Sequence, residues 1–240
     1  MTIARRPSRS RSTTQEAVAG IKRYIREQGL RRGDMLPSET VLCAVIGCSR
    51  SAIREAIRSL VTLDIVEVRH GYGTFVSDMS LEPLINGMVF RTILNTDTSL
   101  KNLLHVVETR EILDLALGTE LLRTFDGQLR NDLLGFVDRM REHSEKGESF
   151  AAEDRSFHLT LASKVGNPLI RELNDAFWRI QAESQPLLSL PMPADIHQTI
   201  DAHQEIVEAL NAADPDRYHD AVKNHYAPFR RLLAQKLGTD

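Results

Sequence analysis

From Thr14 onward apolar residues recur at intervals of three and four, as Ala17, Val18, Ile21, Tyr24 and Ile25, until Gly29 interrupts them. That period places all five on one face of an amphipathic helix. Leu30 to Pro37 has no period and holds Gly33-Asp34, so it reads as a loop. Pro37-Ser38-Glu39 then starts a second helix through Ile46, which Gly47 ends. Ser49 can cap a third helix from Arg50 to Leu63, whose apolar stripe is Ile53, Ile57, Leu60 and Val61. The period next falls to two. Ile65, Val66 and Val68, a turn from Arg69 to Gly73, and Thr74 to Val76 predict a small hairpin. Beyond Val76 no strand pattern returns. Helical periodicity occupies roughly 81–95, 100–124, 127–145, 149–165, 167–188, 195–212 and 214–237, punctuated by Gly127, Gly147, Gly166-Asn-Pro168, Pro191-Met-Pro193 and Asp214-Pro215. The predicted fold is mainly α: an N-terminal winged helix-turn-helix, then a C-terminal antiparallel bundle of about seven helices.

Charge divides the chain at the same place. Residues 1–78 carry 13 Lys and Arg against 8 Asp and Glu, whereas residues 79–240 carry 17 against 25. A basic first third on an acidic remainder points to a polyanionic partner for the first third alone. The expected organisation is a disordered basic arm over 1–13, a DNA-binding domain over 14–78 and an all-helical domain over 79–240. The arm is rich in Arg and Ser but lacks the apolar stripe of an organelle leader. Cys43 and Cys48 are the only cysteines, and their spacing suits neither a disulfide framework nor a zinc knuckle. No apolar run approaches the ~18 residues needed to cross a bilayer. A cytoplasmic protein with no membrane partner is expected.

The blocks Leu36-Pro-Ser-Glu39, Gly47-Cys-Ser-Arg50, Ile53-Arg-Glu-Ala56, Leu60 and Gly71-Tyr-Gly-Thr-Phe-Val76 occur in an order that resembles the N-terminal domain of the GntR family of bacterial regulators. The resemblance implies a double-stranded DNA operator. The first turn of the third helix offers Ser49, Arg50, Ser51 and Arg54, and its N-terminal amides add positive potential toward a phosphate. Arg50 and Arg54 lie four apart on one face, and an arginine can bond guanine O6 and N7 together. The resemblance places base contacts at these two positions and sends the wing tip, His70-Gly71, to the minor groove. The bland alternative is that Arg50, Arg54 and Arg58 form a solvated face. Thr40 stands where a fatty-acid-responsive member of the resembled family has a DNA-touching arginine, so a different operator sequence is expected. Ser38 and Glu39 read better as capping residues than as base readers.

In the bundle, three of the eight histidines stand on apolar stripes. His158 accompanies Leu161, Ala162 and Val165; His203 accompanies Ile200, Ile206 and Val207; His225 accompanies Ala221, Val222 and Phe229. A lone inward histidine is usually a hydrogen-bonded core residue. Asp154, four residues before His158, can chelate one ion with it from consecutive turns. Val107-Glu-Thr-Arg-Glu111, Asp154 with Phe157-His158, Gly166-Asn-Pro168, His203 with Ile206 and Leu210, and His225 resemble the FadR-type subfamily, whose effector domain is called FCD. That resemblance implies one divalent metal per chain, held by Asp154, His158, His203 and His225. Nitrogen-rich ligation with one carboxylate suits Zn²⁺ first, with Ni²⁺ or Mn²⁺ as alternatives, ahead of Mg²⁺ or Ca²⁺.

Arg110 puts a guanidinium on the core stripe of Leu103, Val106, Val107, Leu113, Leu117 and Leu121. A buried cation needs a partner. Either Asp114 or Glu111 pairs with it, or, as the resemblance supports, it clamps the carboxylate of a small organic acid effector. The resemblance also implies a homodimer formed through the helical domain, and repression relieved by the effector. An Asp-His-His-His centre could serve a hydrolase, but the sequence has no His-Glu-x-x-His helix, Gly-x-Ser-x-Gly elbow or phosphate-cradling loop. A metabolite-responsive transcriptional regulator, and not an enzyme, is the expected function.

Overall fold

In a computed structural model that describes residues 9–238, the periodic stretches become helices and the short alternating ones a hairpin. The chain divides between Pro83 and Leu84 into two units. The first holds α1 (Arg9–Glu27), α2 (Glu39–Ile46), α3 (Arg50–Thr62), β1 (Val66–Arg69) and β2 (Gly73–Val76). Ile21 and Ile25 of α1, Leu42 of α2, Ile53, Ile57 and Leu60 of α3, and Val66 and Val76 of the hairpin bury one another. Val61, expected on the α3 stripe, is 42% exposed. It sits about 100° round the helix from Leu60, and so small a unit covers only the narrower face through Ile53, Ile57 and Leu60.

Helix α1 begins at Arg9, so Arg9–Thr13 of the expected arm are helical; residues 1–8 of that arm lie outside the described residues. Neither Gly nor Pro interrupts Arg9–Thr13, and extending an existing helix costs far less than nucleating one. Gly47 ends α2 in the left-handed conformation (φ 77°), its N–H donating to Cys43 O at 2.9 Å. This reverses the chain straight into Ser49, whose Oγ accepts from Ala52 N–H at 3.2 Å and caps α3. The strands pair antiparallel, with Val66 opposite Val76 and Arg69 opposite Gly73. The stretch read as a plain loop does more than connect. Leu36 N–H donates to Thr74 O at 2.8 Å and Val76 N–H to Asp34 O at 2.9 Å, so the backbone before α2 lines the free edge of β2.

The second unit is built of helices: α4 (Glu82–Ile93), whose first two residues precede the division, α5 (Thr96–Thr124), α6 (Gly127–Glu145), α7 (Ala151–Ser163), α8 (Pro168–Leu187), α9 (His197–Asn211) and α10 (Pro215–Leu237). Asn167 and Asp214 cap α8 and α10, accepting from Leu169 N–H at 3.1 Å and Arg217 N–H at 3.0 Å, and each is followed by proline at the first helical position. Helix α5 starts earlier than its apolar period, because Asp97 suits the positive end of the helix and Ser99 N–H already bonds Asn95 O at 2.8 Å. Helix α10 lies along α9 and α5, α8 along α5 and α7, and α6 along α7 and α9. Leu117 and Leu121, Leu133, Met140, Phe157 and Ile180 fill the space between them. Among the described residues no helix is long and apolar enough to cross a membrane.

Candidate functional site

Ala52, Ile53, Ala56 and Ile57 turn one face of α3 into the core, which leaves Ser49, Arg50, Ser51 and Arg54 exposed on the other. His70 and Gly71 are exposed at the turn of the hairpin. Ser49 Oγ lies 3.0 Å from Ser51 Oγ, Arg54 Nε donates to Glu39 Oε2 at 2.7 Å, and Arg50 reaches Thr40 Oγ1 at 3.4 Å. Both arginines therefore lean on the first turn of α2. Glu39, expected to cap, holds Arg54 instead, and Ser38 occupies the N-cap of α2 without a side-chain bond. A short charge-assisted contact wins the carboxylate, yet an exposed pair is worth only about 0–1 kcal/mol and is readily broken. Arg58 turns to Glu55 at 2.7 Å. Tyr72 is 79% exposed beside His70-Gly71; periodicity gave no reason to single it out, and its signals were its place in the turn and in the block Gly71 to Val76.

The second cluster is assembled from three helices. Asp154 and His158 come from consecutive turns of α7, His203 from α9 and His225 from α10, and each offers a ligand atom within 4.8 Å of the others. Asp154 Oδ1 is 3.1 Å from His203 Nε2 and 3.6 Å from His158 Nε2. The rings of His203 and His225 are 4.4 Å apart, and those of His158 and His225 4.8 Å. All three histidines are buried, and His158 Nε2, His203 Nε2 and His225 Nδ1 make no hydrogen bond of acceptable geometry. Buried polar atoms are nearly always satisfied, so three orphaned nitrogens around one carboxylate fit a cation as their partner.

The outer ring nitrogens face fixed oxygens, His203 Nδ1 in a hydrogen bond and His158 Nδ1 in a charge contact that lacks hydrogen-bond geometry. His203 Nδ1 stands 2.7 Å from Thr199 O, and His158 Nδ1 stands 3.1 Å from Asp114 Oδ2. Asp114 is itself fixed by Asn174 Nδ2 at 2.7 Å and by the Tyr226 hydroxyl at 2.5 Å. The sequence placed Asp114 beside Arg110 as a possible ion-pair partner; its role toward His158 depends on a contact between helices that no spacing reveals. Burial alone would drive His158 neutral, but Asp114 and Asp154 outweigh it and hold the imidazole up at about 9. Burial lowers His203 and, with the neighbouring histidines, lowers His225 further. Burial works against the Asp154 carboxylate too, yet the close approach of His158 and His203 keeps it well below its usual range. Without metal, the centre is one imidazolium between two carboxylates.

A cavity of about 280 Å³ adjoins this centre, with Asp154, His225 and Arg110 in its wall. Arg110 is 6% exposed. Its Nη1 donates to Gln181 Oε1 at 2.6 Å, and its guanidinium lies 5.4 Å from the Tyr226 ring centre. The internal ion pair weighed for it does not form: Glu111 accepts from Arg230 at 2.8 Å, and Asp114 serves His158. A buried guanidinium bonded to a neutral amide retains donors for an anion in the cavity.

Residues 105–228 match the FCD domain family, and residues 13–76 match the bacterial regulatory proteins of the gntR family. The chain is 39% identical over 106 residues to a Micromonospora viridifaciens protein named NedR, covering 44% of this chain and 76% of that one. It is 23% identical to the galactonate operon transcriptional repressor of Escherichia coli K12, over 85% of this chain and 89% of the relative. Among solved structures, Streptococcus agalactiae GntR is 27% identical and superimposes with a TM-score of 0.63, covering 91% of this chain and 99% of its own.

Proposed function

The chain belongs to the bacterial regulators of the gntR family that carry an FCD domain, effector-responsive DNA-binding proteins and not enzymes, and on that premise we propose a homodimeric repressor, released from a short palindromic operator when a small organic acid enters its helical domain beside a divalent metal ion. The observation that carries this reading is the set of orphaned, buried histidine nitrogens around Asp154, next to a cavity walled by Arg110. Asp154, His158, His203 and His225 would hold one ion per chain, Zn²⁺ first and Ni²⁺ or Mn²⁺ as alternatives. The ion supplies a fixed positive charge at the cavity wall. Arg110 gives the same carboxylate a second, directional anchor, which a lysine would not reproduce. On the DNA side, Arg50 and Arg54 read guanine from the first turn of α3, Ser49 and Ser51 bond phosphate, and His70-Gly71 follow the minor groove. The relative named as an operon repressor supports repression as the direction of control.

The test uses operator duplexes selected from a random pool and metal-loaded full-length protein. Metal analysis should find about one ion per chain, reduced in His203→Ala and His225→Ala. Organic acids should then release wild-type protein from the duplex, and Arg110→Lys should require more acid. Release of Arg110→Lys or of metal-stripped protein at the wild-type concentration would remove the basis for this reading.

A further inference from the structure

We propose that the effector is an acid whose body beyond the carboxylate is apolar, an alkyl or aryl chain, and not a polyhydroxylated acid. The inference rests on the reading of Arg110 and the metal centre as carboxylate anchors, and adds what the rest of the cavity selects.

Three helices carry the cavity away from the centre. Trp178 bonds Asp154 through Nε1 and so marks the level of the centre on α8; Pro186 lies eight residues further on, about 12 Å along the axis. On α10, Phe229 stands one turn beyond His225, and Ile196 stands almost two turns before His203 at the start of α9. The connection between α8 and α9 adds Leu190 and Met192. All of these line the cavity, and its charged lining residues, Asp154 and Arg110, belong to the anchor end. The far end is therefore built of Pro186, Leu190, Met192, Ile196 and Phe229.

The polar side chains in the wall are each engaged in part. Gln181 accepts from Arg110, Thr199 Oγ1 donates to His225 O at 3.4 Å, and the Tyr226 hydroxyl serves Asp114. Ser149 Oγ accepts from Ala151 N–H at 3.3 Å, and Gln185 Nε2 reaches Pro191 O at 3.5 Å. Gln181 Nε2, Gln185 Oε1 and the Ser149 hydroxyl hydrogen keep some capacity, but the side chains of Pro186, Leu190, Met192, Ile196 and Phe229 offer a hydroxyl neither an N–H or O–H donor nor an oxygen acceptor. A sugar acid brings a hydroxyl on each carbon, and those carried against the apolar end would lose water without a replacement partner on these side chains. A methylene or an aryl ring loses nothing and gains burial. The volume, about 280 Å³, lies at the small end for ligand cavities and limits the chain to a short one.

The experiment is a calorimetric titration of zinc-loaded full-length protein with acetate, butanoate, hexanoate, phenylacetate and gluconate. Affinity should rise along the alkanoates by about fourfold per buried methylene. Phenylacetate should fall among the tighter binders, and gluconate should bind no better than acetate. Leu190 is half-buried and Met192 exposed, both in a connection, so Leu190→Gln and Met192→Gln leave the helices intact. Each should weaken hexanoate several-fold and leave acetate unchanged. Gluconate binding more tightly than hexanoate, or affinity independent of chain length with Arg110→Gln still abolishing it, overturns the apolar selection and leaves the anchors standing. A length-dependent affinity that survives Arg110→Gln intact, or no binding by any acid, overturns the anchor reading instead.

Discussion

Asp114 faces the outer nitrogen of His158 as the carbonyl of Thr199 faces that of His203, the first through charge and the second through a hydrogen bond, and each leaves the inner nitrogen facing Asp154. Partners of this kind fix ring orientation, and losing one typically costs about 10–100-fold in metal affinity. Asp114→Asn keeps the shape of the group but removes its charge, so zinc affinity measured against a competing chelator should fall by that order. The same chemistry sets a pH dependence. His158, held up at about 9 without metal, must surrender its proton to bind an ion, whereas His203 and His225, both lowered, are already neutral at pH 7. Apparent affinity should therefore rise about tenfold per pH unit from neutrality and level off above about 9. In Asp114→Asn the plateau should begin at lower pH, because one of the two carboxylates that raise His158 is gone. A flat profile in the wild type would show that no proton is displaced.

At the scale of elements, the centre depends on how closely α5 and α10 approach. A Cβ on Gly118 would lie 2.6 Å from Cε1 of Tyr218, so glycine there admits the ring, and the Tyr218 hydroxyl reaches Asp114 O at 2.7 Å. In an open helix interior, alanine would be better than glycine by about 0.5–1 kcal/mol. Here overpacking should reverse the sign: Gly118→Ala is expected to destabilise the protein by about 1–3 kcal/mol, read from a urea midpoint, and to loosen metal binding through Asp114. A more stable Gly118→Ala would mean that the two helices are not held at this distance. The elements themselves were largely legible, because Gly47, Asn167-Pro168 and Asp214-Pro215 are local signals of where helices stop and start. The edge that Asp34 and Leu36 add to the wing was not, since two backbone bonds to a strand many residues away leave no period behind.

For the whole molecule, control means a coupling free energy between two sites, typically ~1–3 kcal/mol, or about five- to 150-fold in affinity. Linkage makes it reciprocal. Whatever factor an acid takes from operator affinity, saturating operator must take from acid affinity, and titrating hexanoate with and without the duplex checks this; unequal factors would mean that the acid acts other than by shifting one shared equilibrium. The sequence by itself determined the order and type of the elements and the Asp154-His158 pair, since these rest on spacing within a few residues of one helix or strand, and the basic first third on an acidic remainder, since that rests on composition. It also marked Arg110, His203 and His225 as inward polar residues. Tertiary structure alone decided what each one meets: His203 and His225 facing Asp154, Asp114 turned to His158, Arg110 left with Gln181 and Arg54 drawn to Glu39. Helical period resolves a face roughly 100° wide, whereas a ligand atom or hydrogen-bond partner must be placed to within a fraction of an ångström. That placement comes from the packing of whole helices against one another, which the period of a single helix does not encode.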